Sequence, residues 1–111
     1  MIVDKEDFWE KVTKKAKELE EVYTLTQKQE NKIMSIISIG IVVGTARSPE
    51  GKLIPRSMFD STFMALSSGK PVSQKELRDD YNVHRSAFIM SLVSQLDDVI
   101  HDPIQKTIRL K

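Results

Sequence analysis

Three features of the sequence predict an α+β fold. Apolar residues recur at helical spacing near the start of the chain and again after Ser57. The stretch between them alternates β-branched and polar residues around Gly and Pro, and short apolar runs flank Asp102-Pro103 near the end. Together they give an N-terminal helix and a small antiparallel β-meander over residues 1–55, then three helices and a hairpin over residues 56–111. The two units should share one core, because Ile54-Pro55-Arg56-Ser57 passes from strand to helix without a flexible linker.

Asp4 is placed to cap the first helix, and Phe8, Trp9, Val12, Ala16 and Leu19 fall on one face, so this helix runs from about Lys5 to Glu20. Its other face carries Glu10, Lys11, Lys14, Lys15, Lys17 and Glu18. Opposite charges one turn apart, as in Glu10 and Lys14, mark a solvated surface, and the interleaved glutamates dilute any lysine ridge for phosphate. Trp9 lies on the apolar stripe and reads as core. Val22 to Thr26 then predicts a strand, Gln27 to Asn31 a polar turn, and Ile33 to Ile37 a second strand. The helix formers between Gln27 and Met34 leave a helix over Thr26 to Ser38 as the alternative. Gly40 to Arg47 predicts a third strand, and Ser48-Pro49-Glu50-Gly51 a turn before Lys52-Leu53-Ile54.

Ser57 is expected to cap a helix carrying Met58, Phe59, Phe63, Met64 and Leu66, closed by Ser67-Ser68-Gly69. Ser73 and Glu76 have the spacing of a capping box, in which each side chain takes the other residue's backbone N–H, so the next helix starts at Ser73. It buries Leu77 and Tyr81 and ends near Asn82, a residue that tolerates the left-handed conformation of a sharp corner. Val83 then enters the core, and a further helix begins near His84 with Phe88, Leu92 and Leu96 on one face. Val99 to His101 and Lys106 to Leu110 make a hairpin around Asp102-Pro103. The predicted core of this half is Phe59, Phe63, Leu77, Val83, Phe88, Leu92 and Leu96.

From Ser57 onward the order is helix, helix, turn, helix, hairpin. With the S-x-x-E-L box at Ser73 to Leu77, the N-V-H-R-S turn at Asn82 to Ser86 and the Phe88, Leu92, Leu96 spacing, this half resembles the winged helix-turn-helix superfamily. The resemblance implies a winged helix-turn-helix over residues 56–111, with the helix after His84 as recognition helix and the hairpin as wing. The order helix, meander, Ile54-Pro55-Arg56-Ser57, winged helix also looks like the accessory target-recognition modules of restriction-type nucleases, which implies recognition and no cleavage.

Charge argues against strong electrostatic binding of DNA. The formal net charge is +1, with 17 basic and 16 acidic residues, and from Arg56 onward there are 8 basic and 7 acidic residues. Such a chain must gather its cations on one surface to hold phosphates. Cysteine is absent, which excludes disulfides, thiol catalysis and cysteine-ligated zinc and fits a cytoplasmic protein. No apolar run is long enough to span a bilayer, so no membrane partner is expected.

Enzymatic chemistry is not expected. The two histidines, His84 and His101, lack a serine and an orienting carboxylate at triad spacing. Gly40, Gly44 and Gly51 match no phosphate-loop pattern. Asp97, Asp98, His101 and Asp102 have metal-ligand chemistry but sit where aspartates also end helices and shape hairpins, so neither metal nor cofactor is expected. The expected function is a DNA-binding protein, either a regulator of transcription or a DNA-recognition accessory subunit. Its double-stranded DNA would be held by His84, Arg85 and Ser86 at the recognition helix and by Lys106, Arg109 and Lys111 on the wing. Ile89, Met90 and Val93, on the same outward face, do not suit base reading. They favour the alternative of a protein interaction or dimerisation module, a homodimer or one docked on a larger protein, joined through helix one or the apolar side of the helix after His84. Cover by the N-terminal helix of the same chain is the intramolecular option.

Overall fold

The computed structural model describes residues 2–19, the backbone of residues 21–23, and residues 30–111. Helix α1 spans Lys5–Leu19. Asp4 caps it as expected, its Oδ1 accepting the Asp7 N–H at 2.8 Å. Phe8, Trp9, Val12 and Ala16 are buried along one face, and Leu19 packs against the core from its margin.

A four-stranded antiparallel sheet follows, β1 (Glu21–Tyr23), β2 (Glu30–Ile37), β3 (Gly40–Gly44) and β4 (Lys52–Pro55), paired in chain order as a meander. The helical alternative fails over the described part of its range, since Glu30–Ile37 is strand. Asn31, expected in the turn, belongs to β2, while residues 24–29 of the expected strand and turn lie outside the described residues. Strand β3 ends at Gly44, short of Arg47, because Thr45 and Ser48 exchange backbone hydrogen bonds of 3.2 Å and close a turn there. A bulge between Ile33 and Ser35 inserts Met34. The extra residue resets the alternation, so Ile33 and Ile36, three apart, both pack against the core.

Helix α2 spans Arg56–Leu66 and starts one residue before the expected cap. Pro55 occupies the N-cap position without a side-chain bond. The Arg56 N–H is satisfied by the Ile39 carbonyl at 2.8 Å, which does part of the work expected of Ser57. Strand β5 (Val72–Ser73) leads into α3 (Gln74–Asp80), where both halves of the capping box are present. Asn82 is the corner, with φ 54°, and the Val83 N–H returns to the Leu77 carbonyl at 2.9 Å. Helix α4 spans Ser86–Val93. It begins two residues after His84 because Arg85 is left-handed, φ 60°, and cannot continue a right-handed turn.

The hairpin is β6 (Val99–Asp102) and β7 (Thr107–Leu110), with Lys106 left-handed in the connecting turn instead of at the start of the strand. Strand β5 adds to its other edge, giving the order β5-β7-β6. A single apolar cluster contains Phe8, Val12, Ile41, Val43 and Ile54 from the first half and Phe59, Leu66, Leu77, Phe88, Leu92 and Ile108 from the second. Among the described residues no helix is long and apolar enough to cross a membrane.

Candidate functional site

The position expected to read DNA is α4 and the turn before it. Ile89, Ser91, Leu92 and Val93 are fully buried, and Phe88, Met90 and Ser86 nearly so, which leaves Ala87 as the one partly exposed residue between Ser86 and Val93. Helices α3 and α1 and strand β1 all pack against α4. Intramolecular packing also absorbs the apolar surplus expected to drive dimerisation: Phe8 and Trp9 meet Phe63 and Phe59 of α2, and Ile89, Met90 and Val93 are buried within the same chain. The intramolecular option therefore holds for these two surfaces.

Of the expected DNA-binding residues, His84 is exposed at the turn, its N–H lying 3.2 Å from the Met58 sulfur. Arg85 is half-buried and directs Nη2 to Asn31 Oδ1 at 3.2 Å. Asn31 is itself buried, so this bond ties the corner to β2 of the first half. Ser86 is 5% exposed and presents no free hydroxyl surface to a groove.

The β6–β7 hairpin behaves differently. Lys106, Arg109 and Lys111 are exposed; along β7 buried Ile108 alternates with exposed Arg109, while Lys106 lies in the turn. Pairing of Val72 with Ile108 and of Ser73 with Thr107 brings the segment holding Lys70 beside the end of β7. Lys70 is likewise exposed, near the end of β7, a neighbour that the sequence could not show before β5 was placed.

Other charged groups are committed to the fold. Lys11 bridges Asp98 at 3.2 Å and Asp7 at 3.5 Å, fastening α1 to the segment that leads into the β6–β7 hairpin. Burial works to lower the Lys11 pKa, but the hydrogen bond to Asp98 and the charges of Asp7 and Asp98 outweigh it and raise the value above 10.5. Arg56 meets Glu6 at 2.6 Å and Asp60 at 3.8 Å, and its guanidinium lies 5.3 Å from the centre of the Trp9 ring. The bond to Glu6, ahead of the opposing effect of burial, raises its pKa further. Asp98 is thus tied to Lys11, and Asp102 Oδ1 accepts the N–H groups of Ile104 and Gln105 at 2.9 and 3.0 Å. Among the described residues no three His, Cys, Asp or Glu side chains are grouped to hold a metal ion. A shallow depression of about 240 Å³ between α1 and β2 is lined by Ala16, Lys17, Ile33, Met34, Ser35 and Ile36, which offer no acid or histidine for catalysis. No protein-family model matches the chain, and no curated protein or solved structure is significantly similar to it.

Proposed function

We propose that this chain is a protein-interaction module in which a winged helix-turn-helix unit serves as scaffold and its third helix serves as core. The observation that carries this is the enclosure of α4, with Ser86, Ile89, Met90 and Val93 all buried. Reading a major groove requires three or four side chains free to reach base edges from one helix, and a helix packed beneath α1 and β1 offers none without opening the fold. The near-neutral charge fits the same reading, since nothing in it favours a polyanion. Titration of fluorescent duplex DNA tests it. Sequence-dependent binding that Arg85→Ala abolishes would replace the interaction module with a DNA reader.

A second reading is favoured by the wing. Lys106, Arg109 and Lys111 are exposed, and among the described residues none is ion-paired, so they could hold a phosphate backbone without reading its bases. Three such contacts would give a salt slope of about −3 in log K against log salt. Joint charge reversal of Arg109 and Lys111 would lower that slope by about two on every sequence alike.

A further inference from the structure

Met34 is the residue that the β2 bulge leaves without a partner on β3. Its side chain reaches the β3–β4 turn: a Cβ at Gly44 would stand 2.9 Å from the Met34 sulfur, and one at Gly51 2.7 Å from it. Gly44 is the last residue of β3 and Gly51 the residue before β4, so the thioether lies over both ends of the turn. The turn is held by surface hydrogen bonds. Thr45 and Ser48 exchange backbone bonds of 3.2 Å, the Ser48 N–H also meets Thr45 Oγ1 at 3.1 Å, and the Gly51 N–H reaches the Ser48 carbonyl at 3.0 Å. Ala46, Arg47, Pro49 and Glu50 around them are exposed. Such bonds compete with water and contribute little net, so an apolar side chain laid over the glycines adds to the order of the turn.

Exposure divides the described methionines. Met90 is 3% exposed and Met58 packs against the core, while Met34 is 51% and Met64, on α2, 68% exposed. Met34 thus combines access for a water-borne oxidant with a sulfur packed against backbone. We propose that Met34 is a reversible oxidation site at which a peroxide releases the β3–β4 turn. A sulfur lone pair attacks one oxygen of hydrogen peroxide and forms the S–O bond as the O–O bond breaks. The departing hydroxide takes the proton of the transferred oxygen and leaves as water, so the thioether is oxidised to a sulfoxide and the peroxide is reduced.

The product carries a polar, hydrogen-bond-accepting oxygen on an atom that was apolar, and its hydration draws the side chain off the glycines into water. Gly44, Gly51 and Val42, whose Cγ1 stands 2.9 Å from the Cβ position at Gly51, lose that cover. Gly51, with φ 89°, has the widest backbone freedom to regain, so the turn loosens from that end. The release is independent of what the chain binds, and sulfoxide reductases reset it.

Amide hydrogen exchange by NMR on the full chain, before and after hydrogen peroxide and with mass spectrometry scoring each methionine, is the test. Met34 and Met64 should oxidise together while Met90 is spared. Exchange at Thr45, Ser48 and Gly51 should then rise by at least about threefold, with the amide of buried Leu92 unchanged. Sulfoxide reductases of both epimer specificities should restore the starting rates. Met34→Leu, which keeps an apolar cover, should match untreated wild type and ignore peroxide, whereas Met64→Leu should respond as wild type does. Met34→Gln, a polar side chain of similar length, should show the raised exchange without peroxide. The proposal is overturned if Met34 stays reduced while Met64 oxidises, or if Met34 oxidises and the turn amides do not change. A response that persists in Met34→Leu, a wild-type turn in Met34→Gln, or a rise shared by Leu92 overturns it equally.

Discussion

Ile89→Ala separates a helix used as core from a helix that reads DNA. Ile89 falls on the face of α4 that groove reading would leave free, yet it is fully buried. The substitution removes three carbons, worth about 0.8 kcal/mol each in lost burial, or about 2.4 kcal/mol. The cavity that remains raises the cost to about 3–4 kcal/mol. For 111 residues the entropy of unfolding is about 230 cal/mol/K, from about 2.1 cal/mol/K per residue. The melting temperature should therefore fall by about 13–17 °C. Circular dichroism melts of wild type and variant, with Met64→Ala as the exposed control, measure it. A fall below about 2 °C, the size of an ordinary surface substitution of about 0.5 kcal/mol, would show that α4 has an open face and refute its assignment to the core.

The corner between α3 and α4 requires a residue that accepts φ 54°, so Asn82→Ala should cost about 1 kcal/mol in denaturant unfolding, while Asn82→Gly should stay near wild type. Arg56→Ala removes a ring contact worth about 0.5–1 kcal/mol and two partly exposed ion pairs worth about 0.2–1 kcal/mol each, and the same unfolding curves should show a loss of about 1–3 kcal/mol. Lys11 has a folded pKa raised above 10.5, so its tie to Asp98 and Asp7 contributes fully below that pH and is lost as the pH climbs through the folded value. Melting temperature followed into alkali should step down there in wild type, with a smaller step in Lys11→Met.

Local chemistry was legible in the sequence. The Asp4 cap, the Ser73–Glu76 box and the Asn82 corner each depend on residues within a few positions, and each stands where the sequence puts it. Features settled by distant partners were not legible. Ser57 is displaced as a cap because the Ile39 carbonyl, far back in the chain, meets the Arg56 N–H. Strand β5 is two residues long and exists only because β7 pairs with it. The role of Asn31 was hidden for a similar reason: in a polar stretch it reads as turn, and only the fold brings it to Arg85. The apolar residues Ile89, Met90 and Val93 were the one warning that α4 is enclosed. Which surface covers them was fixed by the packing of α1 and the meander, which no periodicity within α4 can encode.

Selection from a pool of randomised duplexes at low salt tests most directly whether α4 is scaffold or reader. Wild-type protein should enrich no sequence, retaining at most a salt-sensitive fraction that joint charge reversal of Arg109 and Lys111 removes. Enrichment of a defined motif by wild type, lost in Arg85→Ala, would contradict the enclosure of α4 as a functional fact and make this chain a DNA-recognition protein.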